Sequence, residues 1–149
     1  MKLVIQRVSE ASVTVDNHLV SKIGTGLLIL VGVADDDSLD DVAYCVKKTA
    51  PLRIFPDDDG VMSRSVIDAG GDVLAVSQFT LLASTRKGNR PSYIHAARPE
   101  LAIPLYEAYC DRLGEAIGRE VQKGVFGADM KVRLLNDGPV TIIIDSKNQ

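Results

Sequence analysis

The 149-residue chain has no tryptophan, two cysteines and two histidines, and aromatic residues make up 5% of it. Each scarcity excludes something. Cys45 and Cys110 stand far apart, with no CxxC pair and no His/Cys cluster. A structural zinc site is thereby excluded and a disulfide framework is not expected; both cysteines read as small core residues in a reducing cytosol. No apolar run reaches the ~18–20 residues that a membrane span requires. The longest, residues 26–34, reads as a buried strand. The start, MKLVIQRVSEASVTV, alternates and carries Arg7 and Glu10, which is unlike a signal peptide. Walker loops, GxGxxG after a strand, HExxH and GxSxG are all missing.

What remains is an ordinary globular composition, 46% apolar and 25% charged. No repeat, low-complexity tract or linker divides the chain, so one domain over residues 1–149 is expected. A domain of this length buries roughly 70% of its unfolded surface and needs no staples. The 17 basic and 20 acidic residues give a net charge of −3, but the distribution is uneven. Residues 84–98 (STRKGNRPSYIHAAR) hold Arg86, Lys87, Arg90 and Arg98 with no acid, while acids gather in 35–41 and 57–59. Such a loop suits local contact with phosphates, and equally suits plain solvation.

Periodicity supplies the outline. Residues 3–8 and 11–15 read as paired strands joined at Ser9-Glu10, 18–23 as a third strand, and 27–33, apolar on both faces, as a central one. Ser38 with Asp41 three residues on predicts a capped helix, with Leu39, Val42, Ala43 and Val46 as its stripe and Pro51 as its stop. Residues 52–55 read as a short strand and 73–82 as a second strongly apolar one. Residues 99–117 read as a helix with Leu101, Leu105, Ala108, Tyr109 and Leu113 inward, started or kinked by Pro104. Strands at 131–135 and 140–145 follow, joined by Asn136-Asp137-Gly138-Pro139. The expected class is α+β: a largely antiparallel, barrel-like sheet with two main helices.

Chemistry is signposted at two places. A strand as apolar as 73–82 rarely admits Gln78 beside Ser77 unless those groups meet partners or a ligand; Ser77 and Thr80 are its hydroxyls. The second is Asn136-Asp137-Gly138-Pro139-Val140-Thr141, where a Gly-Pro pair entering a strand can aim two carbonyls outward, or simply form a hairpin turn. His18 reads as a surface turn residue, and His95 as a phosphate contact or an exposed bystander.

Taken jointly, QRVSEASVTV, GLLILVGV, LRIFPDDDG, SQFTLLA, TRKGNRPSY, FGADM and NDGPVTIIID, in that order over roughly residues 1–145, resemble the D-aminoacyl-tRNA deacylase family. The resemblance implies a cytosolic homodimer that needs no metal or organic cofactor. It would hydrolyse the ester of D-aminoacyl-tRNA and of mischarged glycyl-tRNA. It implies that Ser77, Gln78, Phe79 and Thr80 line the pocket for the 3′-terminal adenosine and aminoacyl group. It further implies that Gly138–Pro139 is cis and enters the partner subunit's pocket to reject L-amino acids, and that Arg7 braces this turn. Arg86, Lys87 and Arg90 become the expected tRNA contacts. With no local base for a hydroxyl nucleophile, activation of water by the terminal 2′-hydroxyl is expected, and Thr80 as nucleophile stays open. A non-catalytic RNA-binding module and a small-molecule esterase are the rival classes.

Overall fold

A computed structural model describes residues 1–149. Eight strands and two helices run in the order β1 (Lys2–Val15), β2 (His18–Ile23), β3 (Gly26–Gly32), α1 (Leu39–Thr49), β4 (Phe55–Pro56), β5 (Met62–Arg64), β6 (Asp72–Ser77), α2 (Pro99–Ile117), β7 (Gln122–Lys123) and β8 (Lys131–Asp145). The sheet order is β2-β1-β3-β6-β7, with β8 on the other edge of β1; β4 and β5 form a separate hairpin. The pairs β3–β6 and β6–β7 are parallel and the rest antiparallel. The sheet is therefore mixed, not largely antiparallel. The physical reason is the intervening helices: α1 lies between β3 and β6, and α2 between β6 and β7, and a crossover helix returns the chain in the same direction.

Both helices form over the expected spans, but α1 buries Val42, Cys45 and Thr49 rather than the expected stripe: Leu39, in its first turn, and Ala43 stay exposed. Ser38 N–H donates to Asp41 Oδ2 at 2.8 Å, and the Ser38 hydroxyl accepts from Asp40 N–H, closing a capping box. α2 continues through Pro104 and ends at Gly118 in the left-handed conformation. Together they cover one face of the sheet. Leu3, Ile5, Leu27, Ile29, Val31, Val73 and Ala75 bury there against Val42, Leu105, Tyr106, Tyr109 and Leu113 in a core of 23 residues. Cys45 and Cys110 lie in it, and burial pushes both thiols up to about 12.

The opposite face buries a smaller core of seven residues, among them Val8, Ala11, Val13, Leu28 and Val76. This is the interior of the nearly closed barrel, and a bend in β1 makes it possible. Ser9-Glu10 is not a connection: β1 is continuous, and Ser9 is an extra residue between the pairs Val8↔Asn136 and Glu10↔Leu135. Such a bulge breaks the period-2 pattern, which is why the segment resembles two strands. Before it, Leu3 and Ile5 face the helices; after it, Ala11 and Val13 face the barrel interior. Similarly, 136–139 is not a hairpin turn. β8 runs along β1 throughout, and residues 137–140 loop out opposite Arg7 alone, between Gln6↔Thr141 and Val8↔Asn136. Two further expectations are corrected. The 52–55 strand is reduced to Phe55–Pro56, and the 73–82 strand ends at Ser77, followed by a 3-10 turn over Phe79–Leu82. The cause at the second place is Gly32: a Cβ there would come within 2.7 Å of Leu82 Cδ2 and 3.1 Å of the Gln78 carbonyl, so its absence lets the turn seat on β3.

Candidate active site

The 77–80 segment begins where β6 leaves the sheet. Gln78 N–H still donates to Val31 O at 2.8 Å, and Leu81 N–H then donates to Gln78 O at 3.2 Å. Phe79 and Thr80 are the first residues of the 3-10 turn, so their N–H groups have no acceptor within it, and no side chain caps the turn. Two adjacent donors thus stand at the open N-terminal end of the turn. Gln78 Nε2 donates to Thr80 Oγ1. Phe79 is 56% exposed and meets Tyr93 edge-on, with ring centroids 5.1 Å apart. The sequence marked no role for Tyr93; this contact places it beside the 77–80 turn. No group able to take a proton is bonded to Thr80: His95 Nδ1 lies 3.9 Å from Asp35 Oδ2, and His18 starts β2.

The Gly138–Pro139 peptide bond is cis, and Gly138 has φ +136. A Cβ on Gly138 would approach Val140 Cγ2 to 2.8 Å and an Arg7 guanidinium nitrogen to 3.0 Å, so the position requires glycine on both conformational and steric grounds. Arg7 holds the loop. Its Nε donates to the Asp137 carbonyl at 3.0 Å and its Nη1 to the Ile54 carbonyl at 2.7 Å. The planar guanidinium bridges two segments that a lysine ammonium could not align together. The Asp137 carboxylate, 3.8 Å from Nε and mostly exposed, adds little. Ile54 as the second carbonyl was not foreseen; nothing local marks a backbone oxygen as a partner.

Register shows how these parts lie relative to one another. Arg7 is paired with Leu27 and Leu27 with Val73, whereas Ser77 is paired with Val31. From β8 to β6 is three strand spacings, about 14 Å, and from Val73 to Ser77 four residues, about 13 Å. Within one chain the Gly-Pro loop and the 77–80 turn are separate. The basic loop, by contrast, adjoins the turn. A bridge between Ser84 and Ser92 closes it, and Arg86, Lys87 and Arg90 are exposed and form no ion pair.

At the far end of the β1–β8 ribbon, the Met1 amine donates to Asp37 Oδ1 at 2.6 Å and to Ser146 Oγ at 2.7 Å. Ser146 Oγ donates in turn to Asp41 Oδ1 at 2.7 Å, and Lys147 Nζ lies 3.1 Å from Asp41 Oδ1. Burial alone would raise the Asp41 pKa; hydrogen bonds from Ser146, the Ser38 backbone and Lys147 outweigh it and lower it to about 2. No three His, Cys, Asp or Glu side chains come together as a metal site. No helix is long and apolar enough to cross a membrane.

Residues 4–145 match the family described as D-Tyr-tRNA(Tyr) deacylase. A protein named D-aminoacyl-tRNA deacylase from Parabacteroides distasonis is 60% identical over 149 residues, covering 100% of this chain and 99% of its own. One of the same name from Bacteroides fragilis is 59% identical over the same span and coverage. Among solved structures, one titled c-Myc DNA Unwinding Element Binding Protein superposes with a TM-score of 0.92 at 39% identity, covering 97% of this chain and 98% of that one. A second, titled as a probable eukaryotic D-amino acid tRNA deacylase, gives 0.82 at 17% identity over 96% and 97%, a likeness of fold alone. By sequence over nearly its whole length and by fold, the chain belongs to the D-Tyr-tRNA(Tyr) deacylase family.

Proposed function

We propose that this chain, a D-aminoacyl-tRNA deacylase by family, hydrolyses the ester of D-aminoacyl-tRNA and glycyl-tRNA in the cytosol at a site built around residues 77–80. The observation that carries the reading is the uncapped 3-10 turn that opens at Phe79, whose leading N–H groups, on Phe79 and Thr80, have no acceptor within it. Donors aimed at a developing oxyanion are the protein's largest lever on acyl transfer. The exposed Phe79–Tyr93 pair offers an aromatic face for the terminal adenosine, and Arg86, Lys87 and Arg90 hold phosphates behind it. No metal or organic cofactor takes part, and residues 1–149 act as one domain.

Water is activated by the terminal 2′-hydroxyl rather than by the protein. Thr80 Oγ1 accepts a hydrogen bond from an amide, and an amide cannot remove the hydroxyl proton that a Thr80 nucleophile would have to lose. Chirality is imposed by exclusion. The Gly138 and Pro139 carbonyls from a second subunit face the α-carbon, where they clash with the Cβ of an L-residue and admit hydrogen. Glycine, having no Cβ, passes. The separation of the two motifs within one chain supports a homodimer as the working unit, as do Ile143 of β8, 68% exposed, and the strand's unpaired outer edge.

The test is to incubate pure protein with D-Tyr-tRNA, L-Tyr-tRNA, Gly-tRNA and a free D-tyrosine ester. Release from the D and glycyl substrates, with L-Tyr-tRNA intact, is expected. Equal D and L rates would remove the exclusion mechanism. Binding without release would make the chain an RNA-binding module, and cleavage of the free ester alone a small-molecule esterase.

A further inference from the structure

The outer face of the barrel, past the Ser9 bulge, carries a groove of about 860 Å³ between β1, β2 and β8. Past the Ser9 bulge, β1 turns Ala11 and Val13 inward, which leaves Ser12 and Thr14 outward. Register places Lys22, Ser12 and Arg133 in one cross-strand row, and Leu19, Thr14 and Lys131 in the next. Directly opposed residues share a face, so three cations and two hydroxyls converge there against one lining carboxylate, Glu10. Lys22 and Arg133 make no ion pair and no side-chain hydrogen bond; Lys131 meets only Asp129, at 3.4 Å on the surface. This is concentrated positive charge on a chain whose net charge is −3.

The geometry points to this groove as a second contact for the sugar–phosphate backbone of the tRNA, engaged by its base-paired arm while the 3′ end lies at residues 77–80. The assignment rests on the tRNA-deacylase reading. Cations interleaved with hydroxyl donors suit phosphate oxygens. A protein partner would call for apolar anchors at the centre of the face, and Leu19, at its margin, is the sole large exposed apolar side chain lining the groove. The reach also fits. Ser12 is nine residues along β1 from Leu3, whose neighbour Val31 is paired with Ser77. That is at most about 30 Å along the strand, a span that an RNA arm bridges and an aminoacyl-adenosine does not.

The test is the double variant Lys22→Ala/Arg133→Ala, with Lys22→Gln/Arg133→Gln to remove the charge while keeping a polar side chain. For uncharged tRNA, the slope of log affinity against log salt should fall by about 2, one for each cation removed. KM for D-aminoacyl-tRNA should rise with kcat unchanged, and cleavage of a D-aminoacyl-adenosine ester should stay at the parent rate. Unchanged tRNA affinity and slope would overturn the assignment. Equal loss on the short ester would overturn it too, as would a changed oligomeric state in sedimentation, which would make the groove a subunit contact. A DNA duplex held as tightly as tRNA, and weakened equally by the substitutions, would also count against it. The binding arm uses uncharged tRNA; if the parent fails to hydrolyse D-aminoacyl-tRNA, the deacylase reading falls separately.

Discussion

Two strands of this sheet are interrupted, and the interruptions are chemical opposites. β6 stops at Ser77 and gives way to an uncapped 3-10 turn whose leading N–H donors, on Phe79 and Thr80, have no acceptor within it. β8 continues, but loops out residues 137–140 and is held there by an arginine on the Asp137 carbonyl. The first can stabilise negative charge; the second, a fixed cis turn, is the one proposed to exclude a side chain. Neither makes a selective hydrolase alone, and in one chain they stand roughly 20 Å apart by strand spacing and rise. In the proposed reading catalysis and chiral choice are therefore separable, and each should be removable with the other left standing.

The largest expected effect isolates the catalytic half. A D-aminoacyl-tRNA ending in 2′-deoxyadenosine should be cleaved more slowly by a factor on the order of 10²–10³, the usual worth of a positioned acid–base group. Thr80→Ala should keep most of the parent rate on the normal substrate. Single-turnover assays decide it: an inert Thr80→Ala enzyme with a competent deoxy substrate would move the chemistry onto the protein.

Next comes the exclusion half. Arg7→Ala leaves the carbonyl of buried Ile54 without its donor, at about 1–3 kcal/mol, and frees the exposed Asp137 carbonyl from the contact that fixes the loop. The ratio of D to L hydrolysis should fall roughly tenfold to a hundredfold, with the D rate falling less. Arg7→Lys should not restore it, since an ammonium cannot span both carbonyls. A uniform loss on both enantiomers would mean that the loop and the 77–80 turn are one unit.

How far these halves were legible depended on whether a local pattern or a distant contact decided them. The capping box at Ser38 and the stripes of α1 and α2 are local, and both helices formed where expected. The Ser77 and Gly138 motifs stood out as polar or conformationally special residues inside apolar runs. The bulge at Ser9 and the loop at 137–140 did not, because each is defined by what pairs across the strand, and Asn136 is far from Val8 in sequence. Parallel β3 and β6 were foreshadowed by a helix between two apolar runs, a signal that strand-by-strand reading passed over. The end of β6 turned on Gly32, whose lack of a side chain matters only once the turn lies on it. That interlock, unlike a capping box, has no sequence spacing to read.

A third outcome concerns what keeps β8 in register on β1. The Asp41 carboxylate receives the Ser146 hydroxyl just beyond β8, and its pKa is lowered to about 2. A carboxylate whose folded pKa lies below its unfolded value stabilises the fold above the unfolded value, and that contribution is lost as pH falls through the folded one. With 3.8 as the ordinary value, the loss runs from about pH 4 down to about pH 2 and amounts to about 2 kcal/mol. Asp41→Asn should melt earlier at neutral pH, lose less stability across that acid window, and keep the parent's D/L ratio. A changed ratio at neutral pH would tie this network to the Gly-Pro loop.

The smallest expected effect belongs to the basic loop, whose proposed part is to position the substrate beside the catalytic half. Arg86 has no ion-pair partner, and its backbone N–H donates weakly to Ser84 Oγ at 3.4 Å. Arg86→Ala should therefore cost little stability. It should lower the salt slope of tRNA binding by about one and raise KM a few-fold. Chiral selection should not move, because a phosphate contact sets where the 3′ end lies and does not sense the α-carbon. A shifted D/L ratio in Arg86→Ala would mean that the loop reaches the aminoacyl group. The donor turn and the phosphate loop would then be one surface, and the boundary between catalysis and chiral choice would have to be redrawn around residues 77–90.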